Sequence, residues 1–461
     1  MGQATALSYT DKAGQLRLEG FLVDIAGVEA TTDPIELKRN SRDYFWYSPI
    51  LQQMLKDKVA DIVVRPRDEA EVVRVARACF KHRVALTVRG GATGNYGQCV
   101  PLDGGVVLDM AKLDRIEWQK PGLVRVQAGA KLFDIDAATR PNGFELRMHP
   151  STKRASQIGG FVAGGSGGVG SVTFGGMREP GNIVAARIVT VEEEPRIIEL
   201  RGDAAQKISR AYGTTGIITV LEMPLAPAQA WIDVIVTFDD FIEAVRFGQT
   251  IAMADGIVKK LLSPVQWPAP QHFTAFRPYI PDGKSVLNAM IGDMSMESFE
   301  TLLGATSGTI TYKAASEDIL GKTPLYEHAW NHTTLQMLKG DRGVTYLQCL
   351  YPHDRLVESV AEVGAKFGDE VLQHLEFIRL NGYMTASGIP IVRYSTPERL
   401  YEIMAGYEAC GIMIANPHVV TLEDGSRYKR VDADQLGFKR EVDPLGLLNP
   451  GKMRSFVAEA I

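Results

Sequence analysis

The sequence holds little cysteine, no long apolar run and no marked excess of charge of either sign. Its four cysteines, Cys79, Cys99, Cys349 and Cys410, are widely scattered and include no Cys-x-x-Cys pair. That argues against a disulfide framework or a zinc cage and leaves buried free thiols as the expectation. Lys and Arg total 50 against 55 Asp and Glu, a formal net charge of −5. A slightly acidic chain offers no electrostatic footprint for a phosphate backbone, so no nucleic-acid partner is expected. No stretch approaches the ~18 consecutive apolar residues of a membrane-spanning helix. The opening Met1-Gly2-Gln3-Ala4-Thr5-Ala6 lacks the charged and apolar regions of a secretory signal. The expectation is a soluble, cytoplasmic protein with no transmembrane segment.

What the sequence does hold is glycine, 45 of 461 residues, or about a tenth against a usual ~7%. The length suggests two to four domains. Strand and helix patterns alternate from residue 60: strands over 61–64, 84–88 and 105–109, and a helix over 68–82. Asp68 and Glu71 are placed in that helix as a capping box, and Val72, Val75, Ala76, Cys79 and Phe80 recur at helical spacing. Strands over 124–128, 144–148, 183–191 and 216–223, with a helix over 132–139, complete this half. Pro224 and Pro227 read as a boundary. Beyond it, strands are expected at 232–238, 286–291, 309–313 and 344–350, and helices at 241–254, 297–305 and 355–367. That pattern suits an antiparallel sheet covered by helices.

The glycine is concentrated in two loops. Arg89-Gly90-Gly91-Ala92-Thr93-Gly94-Asn95-Tyr96-Gly97 follows a strand directly. It is either a tight turn or a nest in which successive backbone N–H groups converge on anionic oxygens. Four glycines in eight residues favour the nest. Between Gly159 and Gly176, nine of eighteen residues are glycine, and Gly165–Gly170 matches Gly-x-Gly-x-x-Gly. The dinucleotide fingerprint requires a helix from its last glycine. Gly175-Gly176 and Pro180-Gly181 break any helix there, so a Rossmann reading is rejected.

Together these residues resemble the FAD-binding domain of the vanillyl-alcohol oxidase and p-cresol methylhydroxylase superfamily, which includes FAD-linked D-lactate, glycolate and 2-hydroxyglutarate dehydrogenases. The matching segments are Ile62–Pro66, Arg89–Gly94, Gly104–Met110, Pro150-Ser151-Thr152 with Ile158–Gly168, Gly213–Thr219, and the tail Asp443–Lys452. The resemblance implies an α+β fold: a two-subdomain FAD-binding domain over 1–228 (core 59–228), an antiparallel-sheet-and-helix substrate cap over 229–430, and a tail, 431–461, returning to the first domain. It implies that Gly90, Gly91, Ala92, Thr93, Gly94 and Asn95 cradle the pyrophosphate, with Arg89 and Tyr96 beside them among the cofactor-binding residues. Pro150, Ile158, Gly159, Gly160, Gly164, Gly165, Ser166 and Gly167 would lie along ribityl and ring. Gly216 and Ile218 would offer backbone groups to a ring edge, and Asn449 would serve as a ring contact or one step behind it. Ala92 and Thr93 stand where many relatives carry a flavin-linking His, and residues 150–170 contain no Cys or His, so FAD is expected to be noncovalent. No metal is expected, since the His-rich motif of the hydroxyacid branch is missing.

The implied activity is oxidation of a small alcohol, hydroxyacid or aromatic alcohol by hydride transfer to flavin, with oxygen or another carrier as electron acceptor. Rival readings are an electron-relay or redox-sensing flavoprotein without its own substrate, and an NADPH-dependent flavin reductase. A homodimer is compatible with the sequence, which fixes no oligomeric state. Four side chains are candidates above the flavin. His332 lies in a polar–aromatic cluster and is either a catalytic or substrate-contact residue or a structural histidine; with His328 at i, i+4 it is also spaced as a metal pair would be on a helix, though without a third ligand pattern nearby. Tyr346 shares a strand face with Gln348 and lines the pocket or packs in the core. Arg379 either holds a carboxylate or forms a surface pair. His418 closes Asn416-Pro417-His418 after an apolar strand.

Overall fold

The computed structural model describes residues 11–316, 322–425 and 431–458. The chain begins its core with a four-stranded sheet in the order Glu29–Thr31, Ile62–Arg65, Val106–Asp109, Leu86–Arg89, in which the last three strands are parallel. The helix Glu69–His82 crosses between two of them and buries Val72, Val75, Ala76 and Cys79, the positions at helical spacing. Only half of the expected capping box forms. Asp68 accepts from the Glu71 N–H at 2.9 Å, but the Glu71 carboxylate turns to the Arg67 N–H and guanidinium.

A second sheet of six antiparallel strands follows, centred on Ile217–Pro227. The boundary read from Pro224 and Pro227 falls inside this strand. Its pairing with Ala185–Val189 ends at Glu222, so Pro224 owes no bond on that side and is tolerated. After 228–230 the chain enters a four-stranded antiparallel sheet ordered Lys259–Val265, Ser285–Gly292, Trp231–Phe238, Thr309–Ala315. Helices Phe241–Met253, Met296–Leu303 and Leu356–Phe367 share a core with its inner face. Two smaller antiparallel sheets complete this part. The fold is α+β, and no helix among the described residues is long and apolar enough to cross a membrane.

The expected strand over 344–350 is two strands in two sheets, Val344–Tyr346 and Cys349–Leu350. Tyr346 and Gln348 therefore do not share one strand face. Similarly, Arg379 and Asn381 are separated by the end of strand Leu375–Leu380. Asn381 (φ 49°) and Gly382 (φ 83°) form the tight turn to Tyr383–Gly388, as Asn-Gly favours in a hairpin.

The tail docks beside the strand Leu86–Arg89. Leu86 N–H donates to the Leu447 carbonyl and Asn449 N–H to the Leu86 carbonyl, both at 2.8 Å. Asp443, fully buried, accepts from the N–H groups of Leu447 and Leu448 and pairs with buried Lys439. Removing one partner of such a pair leaves an uncompensated buried charge, at a cost of about 3–5 kcal/mol. Asp443→Ala should lose about that much stability in a urea titration; a loss below about 1 kcal/mol would show that the tail is held by other means.

Candidate functional site

The strand Leu86–Arg89 delivers the first glycine loop, and Arg89 fixes the loop's base. Its guanidinium lies off the cavity and donates to the Asn40 and Arg42 carbonyls at 3.2 and 2.7 Å. The loop then presses on the second one. A Cβ at Gly91 would collide with the Ala155 carbonyl, and the Thr93 and Ser156 hydroxyls hydrogen-bond at 2.7 Å. Ala92 adopts φ 50°. Among the described residues, the N–H groups from Gly90 to Tyr96 donate to no backbone acceptor. Apart from Asn95 these residues are only half-buried, and all of them line one cavity, so the run is a ready nest for an anion.

The second loop contains a helix, Ile158–Gly164, which the glycine count did not suggest. A further one-turn helix, Ser171–Phe174, occupies the stretch expected to be free of helix. It runs only until Gly175, so the dinucleotide fingerprint still lacks its helix. Ile158 is a core residue whose N–H donates to the Ala130 carbonyl at 2.9 Å. Gly159 is packed, since a Cβ there would stand 2.7 Å from the Ala128 Cβ. Gly160 and Gly164 differ: a Cβ at Gly160 would meet only the Gly90 Cα at 3.9 Å, and at Gly164 nothing closer than 3.7 Å. Both keep φ below zero and have protein-free space in front of them, and that space is the cavity.

The cavity has a volume of about 430 Å³ and is walled by both loops. Gly90, Gly91, Ala92, Thr93, Gly94, Asn95, Tyr96, Pro150, Gly159, Gly160, Gly164, Gly165, Ser166, Gly167, Gly216 and Ile218 all line it. Asn449 stands one step behind, its amide donating to the Gln98 and Tyr212 carbonyls at 2.7 and 2.6 Å. Of the four candidates for chemistry, only His332 lines the cavity. Tyr346 is fully buried, its ring 6.1 Å from Tyr47. His418 is a structural histidine: Nε2–H donates to the Tyr346 carbonyl at 2.8 Å and Nδ1 accepts from the Ser48 hydroxyl at 2.7 Å. Arg379 lies on the surface against Asp255. His328 sits on a separate short helix from His332, its ring against Phe273 and Phe276, so the two do not form an i, i+4 pair on one helix.

The cavity is also lined by the start of the helix Asn331–Gly340. Trp330 caps it with φ 54°, a strained conformation for a bulky residue, costing about 1–3 kcal/mol. Its N–H is held by the Glu376 carboxylate at 2.5 Å, which also accepts from Ser263 and from His374. The strained turn lays the Trp330 ring against Gly167, where a Cβ would come within 2.7 Å. It also sets Asn331 and His332 on the cavity wall. Burial lowers the His332 ring to about 4, opposed by the Glu327 backbone, and its Nδ1 has no protein partner. Asn331 and Gln348 stand beside the Tyr96 phenol on the cavity lining.

Sequence reasoning missed several lining residues. Asp43 and Tyr44 arrive from a segment ahead of the recognised domain, the Tyr44 N–H donating to the Gly94 carbonyl at 2.8 Å. Asp43 accepts from the Phe45 N–H at 2.9 Å, and burial raises its carboxyl. The aromatic run Tyr44-Phe45-Trp46-Tyr47 was the available signal. Arg210 had none beyond its place before Gly213-Thr214-Thr215-Gly216.

Residues 60–198 match the FAD binding domain family. The chain is 24% identical over 445 residues to a D-lactate dehydrogenase of Anaerostipes hadrus, covering 85% of this chain and 89% of that one. It is 28% identical over 207 residues to the glycolate oxidase subunit of Escherichia coli, covering 43% of this chain and only 41% of that protein. The solved structure of an alkyldihydroxyacetonephosphate synthase has the same fold, with a TM-score of 0.69 at 16% identity over 94% of this chain and 84% of that one. The unpaired N–H run and the space before Gly160 and Gly164, both on one cavity, fit an FAD. Gly160→Val should leave the apoprotein's thermal unfolding unchanged while weakening FAD binding at least about tenfold, ~1.4 kcal/mol. Equal FAD affinity in a spectroscopic titration would show that Gly160 does not face the cofactor.

Proposed function

We propose that this chain, an FAD-linked oxidoreductase of the FAD-linked oxidase superfamily, oxidises a small 2-hydroxyacid to the 2-oxoacid. The observation that carries the reading is one cavity lined by both glycine loops and by Trp330, Asn331 and His332. When bound there, FAD supplies a hydride acceptor. The N–H groups of Gly90 to Asn95 hold the pyrophosphate, and the bare helix face at Gly160 and Gly164 lets the cofactor lie against backbone. Trp330 closes the cavity over Gly167 and keeps water from the reacting carbon.

His332 takes the substrate's hydroxyl proton, while the hydride on the carbon bearing that hydroxyl would go to the bound FAD. Burial keeps its ring neutral at pH 7, so it is ready to accept a proton. The negative charge of a bound carboxylate favours the protonated ring and raises its affinity for the proton where it is needed. The FAD is noncovalent: residues 89–97 offer no His or Cys, and burial pushes the Cys99 thiol up to about 12, leaving it protonated and a poor nucleophile.

Anaerobic addition of D-lactate or glycolate to the holoenzyme should bleach the flavin, and a panel of 2-hydroxyacids of both hands that leaves it oxidised would refute the reading. His332→Asn should lower kcat by about 10²–10⁴. Because the neutral ring is the active form and its affinity for protons is depressed, kcat/KM should rise with pH through about 4 and stay flat to neutrality. An acid limb that persists unchanged in His332→Asn would belong to another group.

A further inference from the structure

Arg210 is the one side chain among the described cavity-lining residues that carries a full positive charge. Its guanidinium has no ion pair or hydrogen bond to the described residues, and burial lowers its proton affinity. The cavity's carboxylate, Asp43, is engaged elsewhere, with Lys452 and Arg89 as its neighbouring cations. A guanidinium stays charged regardless, and a desolvated cation without a counter-charge is costly. Such a group is poised for an anion brought in by a ligand.

Its position says which anion. Arg210 holds φ 55°, pinned because the next two N–H groups, of Ala211 and Tyr212, both donate to the Ala163 carbonyl at 3.1 and 3.2 Å. A Cβ at Gly165 would fall 2.5 Å from the Arg210 Cβ. Arg210 thus sits at the C-terminal end of the helix Ile158–Gly164. The other end faces the first loop, at Gly160 and Gly90, and seven residues span about 10 Å. The unpaired N–H nest therefore stands at one end of the helix and Arg210 at the other. Gly167, two residues beyond Gly165, carries the Trp330 ring. Tyr96, which feels the Arg210 charge, stands beside Asn331 and Gln348 on the same lining. Arg210 belongs to the Trp330–His332 end of the cavity.

We infer that Arg210 receives the carboxylate of the substrate, as a two-pronged hydrogen-bond donor, and so selects 2-hydroxyacids over neutral alcohols. This rests on the reading of the site as a hydroxyacid oxidase or dehydrogenase. With its carboxylate at Arg210, a 2-hydroxyacid would have its adjacent hydroxyl carbon directed toward His332, which lines the same cavity. The rival source of the same oxyanion chemistry is the cofactor's own pyrophosphate.

The two are separated by Arg210→Met, with Arg210→Lys as a partial-retention control. Oxalate, a dicarboxylate that cannot be oxidised through a hydroxyl, should perturb the flavin spectrum of the wild-type holoenzyme. Its affinity should fall at least about 30-fold in Arg210→Met and less in Arg210→Lys, whose charge remains without the fork. The FAD dissociation constant should change less than about threefold. With D-lactate, kcat/KM should drop about 100-fold or more, whereas with the neutral lactamide it should change little. Oxalate that binds wild type and Arg210→Met equally, a wild type that fails to bind it, or a loss of FAD affinity in place of oxalate affinity would each overturn the inference. If no hydroxyacid reduces the wild-type flavin yet oxalate binding depends on Arg210, the oxidation reading falls and the anion assignment stands.

Discussion

The structure depends on backbone pressed against backbone at two glycine loops. Gly91 abuts the Ala155 carbonyl, Gly159 abuts Ala128, and Gly165 abuts Arg210. Side chains at these places would force the loops apart. Because they close, the N–H groups of the first loop are turned away from internal acceptors and toward one cavity. The docking of the tail stabilises the same arrangement from behind. Asn449 ties the Gln98 and Tyr212 carbonyls together, and buried Lys452 donates to the Gly97 carbonyl. A turn-rich segment too short to fold alone is thereby joined to the cofactor-binding wall.

Two kinds of glycine do different work in these loops. Those at 91, 159 and 165 satisfy the protein's own packing, whereas those at 160 and 164 face open space. The first group makes the shape and the second leaves room in it. On the same cavity, the strained Trp330 is held by the Glu376 carboxylate, itself embedded among Ser263 and His374. Conformational strain supported by a buried polar network marks a place where geometry is set for something other than stability.

The loops were legible because glycine density and motif order report backbone geometry directly. The same holds for the helix Glu69–His82, whose periodicity and N-cap are local signals. The cap chemistry was harder. Period-two reasoning put Tyr346 and Gln348 on one face, but the strand breaks between them and only Gln348 reaches the cavity. His418 and Arg379 looked like site residues from their polar places on or just after apolar strands, and their partners, Ser48 and Asp255, lie 370 and 124 residues away. Asp43 and Arg210 enter the site from segments with no repeated pattern. Such residues become visible only once tertiary contacts bring them to one wall.

The claim on which the account turns is that the cofactor lies between the two glycine loops, with first-loop backbone around its phosphates. Backbone hydrogen exchange of the protein with and without FAD addresses this directly. The account predicts that FAD strongly slows exchange of the amides from Gly90 to Tyr96 and around Gly160 to Gly167, while the sheet built on Trp231–Phe238 is little changed. Amides of the first loop that exchange equally fast with saturating FAD would contradict it.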